Sequence, residues 1–383
     1  MSREGKSKIQ ISKELGIRKA TIIEWLKQDK YQDKRGWKKD KARKYTDKRV
    51  GEKICQLRED RILEKSYFIG SEYLQMDYAN NYPCEELPSD WFIKETIRRN
   101  NLQTRKPKKR KKGGAEYLLF PSRSIKSLGH IHQSGDFIGK KYISGRSEPV
   151  NILSTSYYFP FKLYEIARLP AEKAVYAIEK LYLQWQIYPI PDVFRMDNGL
   201  QFRGTASGKR SLGKFVIFLL NLGVTPLFGA PSKPWNNPHV EGHNRVFNEK
   251  VWKRNHFKDL NQIDNECDRF NAEGKELFRF KYSNFIINNY QLCNFLEKKH
   301  QIKINRLETV KNKKICFVRF AESFEEKGNA FFTIMNEQVA VPEKYTHQFV
   351  FAEWYLDKEE LIIYSEYKKE RTMIRKMKFE INC

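Results

Sequence analysis

Three acidic residues have the types and settings that metal-assisted chemistry on phosphate esters requires. Asp197 lies in Val193-Phe-Arg-Met-Asp-Asn-Gly-Leu-Gln-Phe202. An apolar run at 193–196 reads as a buried strand, and Asn198-Gly199 forces a turn that leaves the carboxylate at the sheet edge. Asp136 lies in His130-Ile-His-Gln-Ser-Gly-Asp-Phe-Ile-Gly139, an alternating strand-like segment ending in glycine. Glu241 lies in Pro234-Trp-Asn-Asn-Pro-His-Val-Glu-Gly-His-Asn-Arg-Val-Phe-Asn-Glu-Lys-Val-Trp252. There Val240, Asn244, Phe247 and Val251 recur at helical spacing, placing Glu241 in the first turn of a helix. Two strands and a helix would thus deliver three carboxylates to one place. Hard oxygen ligands suit magnesium-class ions, and a pair of such ions about 3.5–4 Å apart activates the attacking oxygen and stabilises the leaving one in phosphoryl transfer.

Each acid also has an ordinary reading. Asp before Asn-Gly is commonly a turn residue, and Glu early in a helix commonly a favourable partner of the helix dipole. The ordered set on the right element types favours the catalytic reading. With the motifs Asp-Asn-Gly and Pro-Trp-Asn-Asn-Pro-x-Val-Glu-Gly-x-Asn, the segment from about 127 to 271 resembles the catalytic core of retroviral-integrase-like (DDE) transposases of prokaryotic insertion sequences. The resemblance implies an RNase H-like fold, a mixed five-stranded sheet with flanking helices. It also implies that Asp136, Asp197 and Glu241 bind two Mg2+ ions, with Mn2+ as a substitute. Forty-three residues, 198–240, separate Asp197 from Glu241, more than is usual in that family. The basic, Gly/Ser-rich 203–211 accommodates the surplus as a loop, since loop length costs little. A helix over 212–222 and a strand over 224–228 are expected after it.

Charge agrees with a polyanionic partner: 72 Lys+Arg against 47 Asp+Glu give a formal net charge of +25, which attracts nucleic acid. No run of about 18 apolar residues and no N-terminal signal pattern is present, so a soluble, cytoplasmic, nucleoid-associated bacterial protein without a membrane partner is expected. Six dispersed cysteines with no Cys-x-x-Cys suggest neither a disulfide framework nor a zinc site. His130 and His132 lack cysteine partners and read as plain strand residues.

The chain divides into a multidomain α/β arrangement. Residues 1–30 read as a helix-turn-helix with its turn at Gly16. Ile22, Trp25 and Leu26 are expected to pack on Leu15 and Ile17, while Arg18, Lys19, Thr21 and Glu24 face a DNA groove. Because the chain begins at Met1, the first helix of such a unit would be short, suggesting an incomplete N-terminus. Residues 48–104 hold helices over 50–63 and 69–78, and a third starting at Pro88-Ser-Asp90 with Ile93 and Ile97 on one side and Arg98 and Arg99 on the other. This resembles a second helix-turn-helix-like DNA-binding unit. A basic linker over 105–125 follows, seven of its first ten residues positive; Arg105, Lys106, Lys108, Lys109 and Arg110 would track a phosphate backbone. Beside Glu241, Lys233, Asn236, His239, His243 and Lys250 are candidates to position DNA.

The core is expected over 126–300, closed by an amphipathic helix over 260–272 and another over 282–296. From 310 a period of two predicts several short strands forming a small SH3-like β-barrel to 383. The resemblance implies an enzyme that binds element-end DNA, nicks it with water and joins the 3′ hydroxyl to target DNA with no covalent protein–DNA intermediate. It further implies a homo-oligomer on DNA, and allows a helper ATPase as a partner. A catalytically silent, domesticated DNA-binding regulator would have lost an acid, and a plain RNase H-like nuclease would lack the N-terminal units.

Overall fold

The computed structural model describes residues 6–26, 48–103, 120–204, 208–231, 237–287, 313–323, 329–367 and 370–382. It divides into two compact units, Met1–Lys53 and Ile54–Cys383.

In the first unit, helix α1 (Lys8–Leu15) starts at a capping box. The Ser7 hydroxyl accepts from the Gln10 N–H, and the Gln10 side chain accepts from the Ser7 N–H, satisfying two donors that a helix start leaves open. Gly16 ends the helix at φ +65°, a left-handed conformation that glycine adopts without strain. Helix α2 (Lys19–Leu26) follows. The packing of these two helices differs from expectation: Ile11 and Ile22 are buried, whereas Leu15, Trp25 and Leu26 remain exposed. An eight-residue helix has only about two turns, so one apolar side chain from each reaches the contact.

Helix α3 (Lys48–Leu63) crosses into the second unit, where α4 (Ser71–Asn81) and α5 (Asp90–Arg99) follow. Ser89 caps α5 by accepting from the Phe92 N–H, and Ile93 and Ile97 are buried as expected. The 54–103 segment is not a separate module. The Tyr67 and Phe68 N–H groups both donate to the Glu273 carboxylate at 3.0 Å, Arg61 Nη1 lies 3.8 Å from the same carboxylate, and the Phe68 ring lies 4.8 Å from Phe270.

After the short α6 (Ser122–Lys126) comes a meander of β1 (His132–Lys141), β2 (Val150–Phe159) and β3 (Leu163–Leu169), antiparallel throughout. Helix α7 (Ala174–Ile187) leads to β4 (Val193–Met196), parallel to β1. The short α8 (Leu200–Arg203) and α9 (Lys214–Asn221) precede β5 (Thr225–Phe228), parallel to β4. Helix α10 (Pro238–Phe247) continues into a π-helical turn at Asn248–Trp252. Helix α11 (Leu260–Tyr282) runs 23 residues as one element, ten beyond the helix expected to end at 272; the remainder of the second closing helix, 288–296, lies outside the described residues.

Helix α11 covers the outer edge of the sheet. The Asn271 side chain accepts from the Ile166 N–H at 2.8 Å and donates to its C=O at 2.7 Å, replacing a missing neighbouring strand. Leaving those buried backbone groups unpaired costs about 1–3 kcal/mol each, so Asn271→Ala is expected to lower the urea midpoint by an amount corresponding to at least ~1 kcal/mol with the m-value unchanged.

The largest departure concerns 310–383. Strand β6 (Lys314–Phe320) is followed by β7 (Glu322–Ser323), β8 (Asn329–Ile334), β9 (Glu337–Pro342), β10 (Phe349–Tyr355), β11 (Glu360–Tyr367) and β12 (Glu370–Lys378). These do not form a free-standing barrel. β6 pairs in parallel with β5 at Leu227↔Cys316 and Phe228↔Phe317, making one nine-stranded sheet in the order β12-β11-β10-β6-β5-β4-β1-β2-β3, while β7, β8 and β9 form a second. Residues 315–319 are all buried, so β6 is covered on both faces, as an interior strand is. Trp185, Phe215 and Phe228 share one apolar cluster with Phe332, Val341 and Trp354. The strands before residue 230 and those after 313 therefore have a common core.

Candidate active site

Asp136 sits midway along β1, opposite Ser154 of β2. Its neighbour Gly135 is required by packing, because a Cβ there would lie 2.5 Å from Cζ of buried Phe194 in the adjacent β4. Asp197 immediately follows β4. Its Oδ1 accepts from the Gly199 N–H at 3.0 Å, the local turn that an Asp-Asn-Gly sequence favours. Glu241 occupies the first turn of α10. One turn later, Asn244 Nδ2 donates to Asp136 Oδ2 at 3.4 Å, so α10 and β1 meet at the acids.

Electrostatics link the three. Burial, then the charge of Asp197, and more weakly that of Glu241, push the Asp136 carboxyl up to about 7. Asp197 is exposed along its side chain, yet protein on its inner side raises its carboxyl above the usual range by burial, against the pull of the Gly199 N–H. Glu241 is raised by burial and pulled back by Arg195. None of the three forms an ion pair among the described residues. These are carboxylates not paired to a cation, with the hard oxygen donors a magnesium-class ion takes. Their arrangement is open: among the described residues no three acidic, His or Cys side chains stand close enough to hold one ion. For the three acids to hold such an ion, Glu241 would have to be brought in from α10 towards Asp136 and Asp197.

Support for the Asp197 turn comes from a residue that sequence reading passed over. Arg319 of β6 donates from Nη2 to Asn198 Oδ1 at 2.9 Å, from Nη1 to the Gly229 C=O at 2.7 Å, and from Nε to the Thr333 C=O at 2.7 Å. Asn198 Nδ2 donates to the same Gly229 C=O at 2.7 Å. Burial, with Arg203 nearby, pushes the Arg319 guanidinium down to about 9. An arginine inside the apolar run Cys316-Phe-Val-Arg-Phe320 was the available signal, since a buried charge requires partners.

The histidines beside Glu241 divide. His243 is buried, stacked on Tyr164 at 4.3 Å, with Nδ1 3.3 Å from Ser154 Oγ, and burial pushes it down to about 3; it is a neutral packing residue. His239 stacks on Tyr158 at 4.5 Å. His132 is buried, with ring contacts to the Gly129 C=O and the Tyr158 hydroxyl, consistent with a plain strand residue.

Of the residues expected to meet DNA, Arg18 and Lys19 are exposed and Thr21 half-buried at the start of α2. Arg98 and Arg99 are exposed, but both bond Glu95 at 2.6–2.8 Å, so part of their charge is already matched. Lys250 is a correction: it donates to the Tyr67 C=O and lies 5.4 Å from the Phe68 ring centre, engaged in docking 54–103 because the π-turn after α10 directs it there. Lys233, Asn236, Arg105, Lys106, Lys108, Lys109 and Arg110 lie outside the described residues.

No protein-family model matches the sequence, and no curated protein does. Among solved structures, the catalytic core domain of BIV integrase is 17% identical, covering 45% of this chain and all of its own, at a TM-score of 0.23. The simian T-cell lymphotropic virus intasome in complex with the PP2A regulatory subunit B56 gamma is 13% identical, covering 72% of this chain and 98% of its own, at 0.31. Scores this low carry no weight, so the site is read from its own geometry. No helix among the described residues is long and apolar enough to cross a membrane.

Proposed function

We propose that this protein is a DNA-cutting and DNA-joining enzyme of the DDE transposase type, acting on the ends of an insertion sequence. The observation that carries the reading is the placing of Asp136 on β1 and of Asp197 just after the neighbouring parallel strand β4, with Glu241 on a helix against them and none of the three in an ion pair among the described residues. The order β3-β2-β1-β4-β5, antiparallel on one side and parallel on the other, supports an RNase H-like core. The exposed Arg18 and Lys19 support DNA binding by the first unit, and the net charge of +25 supports a polyanionic substrate.

In this mechanism Asp136, Asp197 and Glu241 would hold Mg2+, for which Mn2+ would substitute. When bound, the ion pair supplies Lewis-acid stabilisation of the attacking and leaving oxygens. The chain's own residues do the positioning: Asn244 orients Asp136, Arg319 and Asn198 fix the turn carrying Asp197, and neutral His243 seats α10 against β2 and β3. Water serves as the nucleophile for nicking and the freed 3′ hydroxyl for joining, at one site. A homo-oligomer on DNA is part of the reading, because two element ends must be joined together.

The test incubates purified protein with a labelled element-end duplex and Mg2+, comparing wild type with Asp197→Ala. Metal-dependent 3′-end nicking and joining are expected in the wild type and absent in the variant. Binding without cleavage in both proteins would instead favour a DNA-binding regulator, and cleavage of RNA–DNA hybrids without joining would favour a nuclease.

A further inference from the structure

Strand β4 alternates, placing Phe194 and Met196 in the main apolar cluster and Val193 in another. Arg195 and Asp197 therefore share the face opposite Phe194. Arg195 is only 4% exposed, yet its Nε and Nη2 are buried without a hydrogen-bond partner, and it has no ion pair among the described residues. A buried charge is costly unless paired, so a guanidinium with two open donors points to an anion that completes it.

Its surroundings fit one. The Phe120 ring lies 5.3 Å from the guanidinium carbon on one side. Tyr158, which Arg195 contacts, is stacked by its ring on His239 of α10. Arg195 also acts electrostatically on His239 and Glu241, and Lys162 adds to the positive field at His239. The start of α10 is equally incomplete: Asn237 forms no cap hydrogen bond, and both its Nδ2 and Oδ1 are buried without a partner. A helix N-terminus with open N–H groups attracts anions, and here the buried Arg195 acts electrostatically on two residues of that turn, His239 and Glu241.

We infer that Arg195, Asn237 and the first turn of α10, flanked by His239, form a binding site for one phosphate group of a nucleic-acid backbone, next to the carboxylates. The assignment of the phosphate to DNA rests on the function proposed above; the anion site itself does not. Arg195 would neutralise the phosphate, Asn237 and the helix N–H groups would donate to its oxygens, and the Tyr158–His239 stack would wall the site.

The test uses the full chain without metal. Inorganic phosphate, with chloride at equal ionic strength as control, is titrated while thermal unfolding is followed in wild type, Arg195→Gln and Arg195→Lys. A phosphate-specific rise in Tm is expected in the wild type, absent in Arg195→Gln and partly kept in Arg195→Lys. A short DNA duplex is expected to bind Arg195→Gln about tenfold more weakly, with a salt slope lower by about one. The circular-dichroism spectrum of each variant reports its fold; because Arg195 has open donors, both variants are expected to fold, and the rise in Arg195→Lys keeps the test independent of Arg195→Gln. Equal phosphate stabilisation of wild type and Arg195→Gln would overturn the site. Phosphate stabilisation lost in Arg195→Gln with unchanged DNA affinity would overturn its assignment to a nucleic-acid backbone. If phosphate behaves as expected while the nicking assay fails, the anion site stands and the transposase reading falls.

Discussion

Asp136→Asn is expected to abolish nicking and joining while making the metal-free protein more stable. On the proposed function Asp136 would be a metal-holding acid, and its loss would remove several kcal/mol of transition-state charge stabilisation, equivalent to roughly 10³-fold or more in rate at 1.36 kcal/mol per tenfold. The gain in stability follows from Asp136 being raised to about 7 by burial and by Asp197. A carboxyl whose folded value exceeds its unfolded value prefers to stay protonated, so ionising it destabilises the fold. The penalty is absent below the ordinary carboxylate range, grows as pH rises from about 4 to about 7, and is constant above that. The variant's advantage in chelator-treated protein is therefore expected to appear over that window, reaching on the order of 1–4 kcal/mol. Urea unfolding at pH 4, 6 and 8 measures it. An advantage independent of pH would show that the carboxylates do not crowd each other.

Arg319→Met is expected to cost both stability and activity, although residue 319 touches none of the three acids. The substitution strands the Asn198 Oδ1 and Thr333 acceptors, while Gly229 keeps its bond from Asn198 Nδ2, and leaving each buried acceptor unpaired costs about 1–3 kcal/mol. The turn that carries Asp197 then loses its tie to β6, and a displacement of about 1 Å at a reacting group costs on the order of 100-fold in rate. The decisive measurement is the split between kcat and KM for nicking at a temperature where the variant is still folded. A fall in kcat with KM unchanged marks Arg319 as a positioning residue, and partial recovery in Arg319→Lys would agree. Full kcat with lowered Tm would reduce it to a packing role.

Much of the site was legible because its residues belong to local patterns. The alternation around Asp136, the apolar run before Asp197 and the helical spacing after Glu241 each specify their own element. Sequence has no local marker for which distant strand pairs with which, and there the reading failed. The β6 run Ile315-Cys-Phe-Val318 is apolar without alternation, the pattern of a strand buried on both faces; taken as part of a barrel, it hid the union with β5. Lys250 was misread for a related reason: helical spacing placed it on the helix of Glu241, but the π-turn and the docked Tyr67–Phe68 segment decide where its ammonium goes. Trp25 and Leu26 show the limit of apolar residues as core markers when a unit is too small to cover them.

The parallel pairing of β5 with β6 also bears on how the protein is made. Residues 225–228 leave the ribosome more than eighty residues before 314–320, and until then β5 presents an open edge, the kind of surface that invites aggregation. Over the same interval the Asp197 turn lacks the arginine that anchors it. A chain halted during translation would thus carry all three acids on an unfinished scaffold, with the Asp197 turn unanchored until the C-terminal strands are made.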